Sequence, residues 1–181
     1  MSVRLFAALA LPEDVAAQAA RLQRGVGGAR WSPRENLHLT LSFYGEAPEP
    51  QADELDAMLE HVALARAGFD LQLKGAGVFG GADPNALYLG VAPNAALMAL
   101  AEACARAGRR TGLKPDARKY TPHVTLAYLR RPEIDRVIGF VRTHALFASR
   151  AWRVDRFGLY SSQVRDQAPS LYRLEAEYRL R

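Results

Sequence analysis

Cysteine is nearly absent. Cys104 is the only one in 181 residues, which excludes an internal disulfide framework and any metal site built from cysteines. A chain so poor in cysteine suits a reducing compartment, and a cytoplasmic location is the default expectation. No apolar run approaches the roughly 20 residues that span a bilayer as a helix. The run Leu5–Leu11, behind Arg4, mimics a short signal peptide. It passes directly into Pro12-Glu13-Asp14 and an amphipathic segment, and it reads as a buried first strand. Lysine is scarce as well: only three of the 24 basic residues are Lys and the other 21 are Arg. No low-complexity linker divides the chain.

What is present describes a folded, basic protein. Apolar residues make up 49% and charged residues 24%, a balance that supports a packed core and argues against disorder. The net charge of +5 is uneven. Residues 1–90 hold 7 Lys+Arg and 11 Asp+Glu, a net of −4, and residues 91–181 hold 17 and 8, a net of +9. Arginine's planar fork suits phosphate, so an anionic partner is plausible, with the second half as its attracting side.

The order of elements repeats. In the first half a strand at 3–10 leads through Pro12 to a helix at 13 to about 25, then a strand at 37–44, a helix at about 51–66 and a strand at 69–74. The second half runs from a strand at 86–91 to a helix opened by Pro93 and closed by Gly108 and Gly112. A strand at 123–129 follows, then a helix with Ile134, Val137, Ile138 and Val141 inward and a strand at 152–160. A last strand puts Tyr172, Leu174, Ala176, Tyr178 and Leu180 on one face and Arg173, Glu175, Glu177 and Arg179 on the other. The expected fold is α+β: one domain over 1–181 made of two pseudo-symmetric lobes, about 1–82 and 83–181. Each lobe is a strand–helix–strand–helix–strand unit, and mainly antiparallel sheets face a central cleft.

Both copies carry the same chemical signature. His38-Leu39-Thr40-Leu41 lies on the middle strand of the first copy and His123-Val124-Thr125-Leu126 on that of the second. On a strand, residues i and i+2 share a face, so each His projects with its Thr while Leu39 and Val124 turn to the core. A single His-x-Thr is most simply a solvated or hydrogen-bonded pair. Duplication at matching positions points to chemistry instead. Two imidazoles facing one cleft supply a base and an acid that titrate near neutrality, and two hydroxyls supply neutral donors for phosphoryl oxygens. His61 and His144 have no matching Thr and read as structural or surface residues, and Cys104 as packed.

With these residues in place the chain resembles the 2H phosphoesterase superfamily, and within it the RNA 2',3'-cyclic phosphodiesterases, also called 2'-5' RNA ligases. The resemblance extends to Arg4-Leu-Phe-Ala-Ala-Leu-Ala-Leu-Pro12, Arg30-Trp31, Glu35–Leu41 with Gly45-Glu46, Leu87–Val91, Tyr120–Leu126 and Phe157–Ser161. It implies metal-independent hydrolysis of a ribose 2',3'-cyclic phosphate to a 2'-phosphomonoester, with reversible 2'-5' ligation as the same chemistry run backwards. It assigns His123 as proton acceptor, His38 as proton donor, and Thr40 and Thr125 as phosphate ligands. No cofactor, no membrane and no metal are implied, and a monomer acting on RNA or a nucleotide is expected. Tyr128 departs from the pattern: it stands where the family commonly has Arg, with Arg130 and Arg131 the nearest replacements.

Further contacts are candidates only. Phe43 and Tyr128 each follow their His by five residues and present rings to a base, although strict alternation puts both on the core side. Tyr44 and Tyr120 are comparable, Arg118 and Arg130 are candidate phosphate contacts, and Trp31 anchors the loop before the first motif. Two other readings stay open: a 2H enzyme for a small cyclic-phosphate metabolite, and a non-catalytic RNA-binding module.

Overall fold

In the computed structural model, which describes residues 2–165 and 168–181, the apolar runs become strands and the helical repeats become helices in the expected order. The elements are β1 (Ser2–Ala10), α1 (Glu13–Ala20), β2 (Ala29–Trp31), a 3-10 turn (Arg34–Asn36), β3 (His38–Pro48), α2 (Glu49–Leu64), β4 (Phe69–Leu71) and β5 (Leu73–Phe79). They continue with β6 (Ala86–Val91), α3 (Ala95–Arg110), β7 (His123–Leu129), α4 (Ile134–Thr143), β8 (Trp152–Val154), β9 (Arg156–Arg165) and β10 (Ala168–Arg179). Among the described residues no helix is long and apolar enough to cross a membrane.

Pro12 and Pro48 hold extended backbone ahead of α1 and α2, and the Asn94 side chain accepts the Leu97 N–H at 2.9 Å to cap α3. α1 stops at Ala20, short of residue 25, because the chain turns back there to lay β2 beside β7. α3 runs past Gly108, which is no terminator. A Cβ at Gly108 would sit 2.6 Å from the Tyr44 ring, so the missing side chain admits that ring to the core. α4 buries Val137 and Phe140, not Ile134 and Ile138, which stay 47% and 43% exposed. Its covered face is offset by about one residue because α4 leans on β5.

The sheet has the order β10-β9-β1-β3-β7-β6-β5, with β2 also on β7, and a separate two-stranded sheet pairs β4 with β8. Every strand pairing is antiparallel. The expected strands at 69–74 and 152–160 are each broken by a single residue, Gln72 and Asp155. The first piece of each joins the small sheet and the second joins the large one. The repeats also exchange these second pieces: β5 of the first repeat pairs with β6 of the second, and β9 of the second pairs with β1 of the first. A boundary near residue 82 therefore follows the repeat in sequence, whereas each half of the sheet draws strands from both repeats.

One apolar cluster holds the fold together. Leu5, Ala7 and Leu9 of β1, Leu39 of β3, Leu87 and Leu89 of β6, and Val124 of β7 meet Val15, Leu55, Leu59, Leu97 and Leu100 of the helices. Buried areas of this kind contribute roughly 25 cal/mol per Å² of apolar surface. β3 and β7 register at one pair only, Leu39 opposite Val124. From that pair the two half-sheets diverge, and the cleft that opens there is lined by both motif strands and by residues of α3 such as Glu102 and Arg109.

Of the face expected in the last strand, Tyr178 of β10 and Leu180 just beyond it are buried. A register shift between Leu174 and Ala176 breaks the alternation and leaves Leu174 47% exposed.

Candidate active site

The alternation that turns Leu39 and Val124 into the core turns His38, Thr40, His123 and Thr125 toward the cleft, and all four line it. His38 Nδ1 lies 2.7 Å from the Asn36 carbonyl oxygen and His123 Nδ1 lies 2.6 Å from that of Thr121. A carbonyl only accepts, so both imidazoles carry their proton on Nδ1 when neutral. The same brace, from the residue two positions earlier, therefore presents Nε2 of each ring as the reactive nitrogen. His38 Nε2 is 3.1 Å from Thr40 Oγ1.

Each ring rests on aromatic neighbours from the strands beside it. Phe6 lies 5.1 Å from His38 and stacks on Tyr160, and Tyr172 meets His38 edge-on at 5.2 Å. Phe79 and Tyr88 stack at 4.2 Å and meet His123 edge-on at 4.8 and 5.6 Å. This apolar packing lowers the affinity of both imidazoles for a proton. Burial is the main cause for each. The Asn36 and Thr121 carbonyls oppose it, while His123 adds to the effect at His38 and the Arg118 guanidinium adds to it at His123.

Phe43 and Tyr128 are not on the core side. In β3 the register skips Leu41, so that Thr40 pairs with Ala8 but Ser42 with Ala7. In β7 it skips Leu126, so that Thr125 pairs with Tyr88 but Ala127 with Leu87. A bulge adds one residue and reverses the alternation beyond it. The duplicated bulge swings both rings into the cleft. Arg4 lies over the Phe43 ring at 5.0 Å and Arg30 over the Tyr128 ring at 5.6 Å. Tyr44, past the bulge, is buried, and its hydroxyl donates to the Cys104 carbonyl.

The segment before each motif strand crosses to the other motif strand. Trp31 pairs with Ala127 and touches Phe140, which is the anchoring expected of it. Tyr120 donates its hydroxyl to the Thr40 carbonyl at 2.9 Å and the Asp116 N–H donates to the Phe43 carbonyl at 3.2 Å. These contacts satisfy the edge of β3 where β7 has diverged. Tyr120 and Arg118 both line the cleft, and Asp116 holds the Arg118 guanidinium. Arg130 does not line it: its N–H bonds the Gly28 carbonyl, and its side chain is exposed. The bulge that brings Tyr128 in carries the following residues out. His61 is exposed and His144 packs on Phe140. The Cys104 thiol is buried, which pushes its pKa up to about 12.

The cleft measures about 1070 Å³. Its cations come from both halves of the sequence, Arg4 and Arg30 from the acidic half and Arg109, Arg118 and Lys119 from the basic half. Attraction is therefore not confined to the second half. Among the described residues no group of three or more His, Cys, Asp and Glu gathers as a metal ligand set.

Phe6, Phe79, Tyr88, Tyr172 and Arg4 are functional candidates that the sequence reasoning missed. Period-two alternation in Ala86–Val91 does set Tyr88 apart from Leu87 and Leu89. Phe6 is hidden in a run that is apolar on both faces, and nothing local ties Tyr172 to His38.

Comparison with known proteins agrees with this architecture. Residues 11–166 match the model of the 2'-5' RNA ligase superfamily. The chain is 30% identical over 189 residues to the RNA 2',3'-cyclic phosphodiesterase of Thermus thermophilus, covering 99% of this chain and 91% of that protein. It is 28% identical to the protein of the same name from Aquifex aeolicus, covering 83% and 81%. Among solved structures, E. coli LigT complexed with 3'-AMP superposes with a TM-score of 0.80 at 23% identity over 99% of both chains. TT0787 of Thermus thermophilus superposes with a TM-score of 0.80 at 26% identity, covering 98% and 97%. With its paired motif strands, swapped half-sheets and matched length, the chain belongs to the 2'-5' RNA ligase superfamily.

Proposed function

We propose that the protein hydrolyses the 2',3'-cyclic phosphate of RNA ends to a 2'-phosphomonoester. The observation that carries this reading is the pair of imidazoles, each braced at Nδ1 and each offering Nε2 to one cleft beside a threonine. His123 takes a proton from water, the water oxygen bonds to phosphorus, the P–O3' bond breaks, and His38 protonates O3'. Thr40 and Thr125 bind the non-bridging oxygens and stabilise the charge that grows on them.

The electrostatics suit a pair of rings that share one proton. Both rings start neutral at pH 7 because burial disfavours the imidazolium. A phosphate anion between them favours proton uptake by one, and their mutual repulsion opposes uptake by both. Half-exposed Tyr128 and the arginines of a cleft near 1070 Å³ favour a nucleic-acid end over a small metabolite. The reverse reaction, attack by a 5'-hydroxyl on the cyclic phosphate, gives a 2'-5' bond. The reading carries with it a metal-independent monomer of the cytoplasm.

The test incubates the protein, with chelator, with a 2',3'-cyclic mononucleotide and with an RNA carrying the same end. A 2'-phosphate product is expected from both, faster from the RNA, with turnover lowered roughly 10²- to 10⁴-fold by His38→Ala or His123→Ala. A 3'-phosphate product refutes the role of O3' as leaving group. Turnover that survives in the double alanine variant refutes the histidine assignment.

A further inference from the structure

The duplicated bulge leaves two aromatic platforms at opposite ends of the cleft, and their placement is set by the strands. β3 and β7 run antiparallel through the pair Leu39–Val124. Residues after Leu39 therefore lie on the same side of that pair as residues before Val124. Thr40, Phe43 and His123 share one end, and Thr125, Tyr128 and His38 share the other. Each ring thus lies on the same side of that pair as the histidine of the other repeat. Local contacts agree: the Asp116 N–H and the Tyr120 hydroxyl, on the approach to His123, bond the Phe43 and Thr40 carbonyls. At the other end Arg30 of β2, on the approach to His38, lies over Tyr128. At about 3.3 Å per strand residue, with one residue absorbed by each bulge, each ring is about 10 Å from the central pair. The two are then about 20 Å apart with the phosphate site between them.

That span is too long for one nucleoside and fits two that flank a single phosphorus. We infer that the Phe43–Arg4 platform is a nucleoside subsite for a 5'-hydroxyl acceptor, opposite a Tyr128–Arg30 platform that holds the nucleoside bearing the cyclic phosphate. The assignment rests on the proposed phosphodiesterase reading. There His38 serves the leaving O3', so the ribose that carries both O2' and O3' lies toward His38 and Tyr128. The nucleophile enters from the His123 side, where Phe43 stands. In the transfer step the acceptor O5' forms a bond to phosphorus, the P–O3' bond breaks, the O5' proton passes to His123 and O3' takes a proton from His38. The product is a 2'-5' linked dinucleotide with a free 3'-hydroxyl. Base–aromatic stacking tolerates any base, so the site selects a nucleoside over a simple sugar alcohol without selecting its base. The guanidinium over each ring pins the ring and carries positive charge toward the flanking phosphate.

The experiment uses uridine 2',3'-cyclic phosphate as donor and compares two acceptors at equal concentration, adenosine and methyl β-ribofuranoside. The second offers the same 5'-hydroxyl with no base. The whole chain is expected to prefer adenosine by tenfold or more. Phe43→Ala is expected to erase that preference, Phe43→Trp to keep it, and Tyr128→Ala to lower kcat/KM for the donor with the preference intact. A preference below twofold in the wild type overturns the inference. So does its loss in Tyr128→Ala with retention in Phe43→Ala. If adenosine transfer is absent while hydrolysis proceeds, the subsite is wrong and the phosphodiesterase reading stands. If the donor is not turned over at all, that reading fails and the subsite falls with it.

Discussion

Gly77 of β5 faces the ring of Tyr88, and replacing it with alanine tests whether aromatic packing positions His123. A Cβ at Gly77 would lie 2.4 Å from Cζ and from Oη of Tyr88, whereas ordinary contact begins near 3.4 Å. The ring must therefore retreat by about 1 Å. It has little freedom to do so, because it stacks on Phe79 at 4.2 Å and both rings meet His123 edge-on. The displacement is passed to the imidazole. A misplacement of about 1 Å lowers a rate by up to about 10²-fold, so Gly77→Ala is expected to reduce kcat tenfold to a hundredfold. The fold tolerates the change. Alanine in a strand is favoured over glycine by about 0.5–1 kcal/mol, which offsets part of the repacking cost and holds Tm within a few degrees. The assay is hydrolysis of a 2',3'-cyclic mononucleotide by Gly77→Ala, Tyr88→Ala and the double variant, beside thermal unfolding of each. If Tyr88 transmits the effect, Gly77→Ala costs nothing further once Tyr88 is alanine. Wild-type kcat in Gly77→Ala, or fully additive losses in the double variant, would refute the reasoning.

Stability also depends on pH through the two imidazoles. Their folded pKa values lie below the ordinary 6.5, so below that pH the unfolded chain binds more protons than the folded one. Their contribution is present above pH 6.5 and is lost as pH falls through the folded values. Urea unfolding at pH 7.5 and pH 5 should show a larger loss for the wild type than for His38→Gln/His123→Gln, and equal losses would contradict the buried neutral state. RNA binding should weaken with salt, but gently. Among the described residues five cations line the cleft, and Arg109 and Arg118 are held by Glu102 and Asp116. At about −0.7 per released counterion for a single strand, a log–log slope near −2 is expected from three cations, against about −3.5 from five. A slope of zero would show that these side chains meet no phosphate.

The motif was readable because its spacing is local. His38 and Thr40, like His123 and Thr125, share a face by the two-residue period of a strand, and duplication removed the ambiguity of a single pair. The helices were readable from their apolar repeats, with errors where packing overruled pattern. Gly108 looks like a terminator until the Tyr44 ring is placed against it, and Ile138 looks inward until α4 is set on β5. Phe43 and Tyr128 were readable by position as candidate base contacts, yet strict alternation turns them to the core, because a bulge leaves no mark in the hydrophobic pattern. Arg130 was the near neighbour of Tyr128 in sequence, yet the guanidinium that meets that ring is Arg30, almost a hundred residues away.

By itself the sequence determined the duplicated order of elements, the two strands that carry the reactive groups, and the chemistry of those groups. Each follows from periodicity and residue type over short stretches of chain. Only the tertiary structure decided that the repeats exchange β5 and β9, that a single pair, Leu39 and Val124, joins the half-sheets, and that a bulge in each motif strand turns Phe43 and Tyr128 into the cleft. Those features depend on which strand edge is left to pair and on how antiparallel strands pass each other. Such contacts join residues far apart in the chain, and hydrophobic periodicity within one segment carries no information about them.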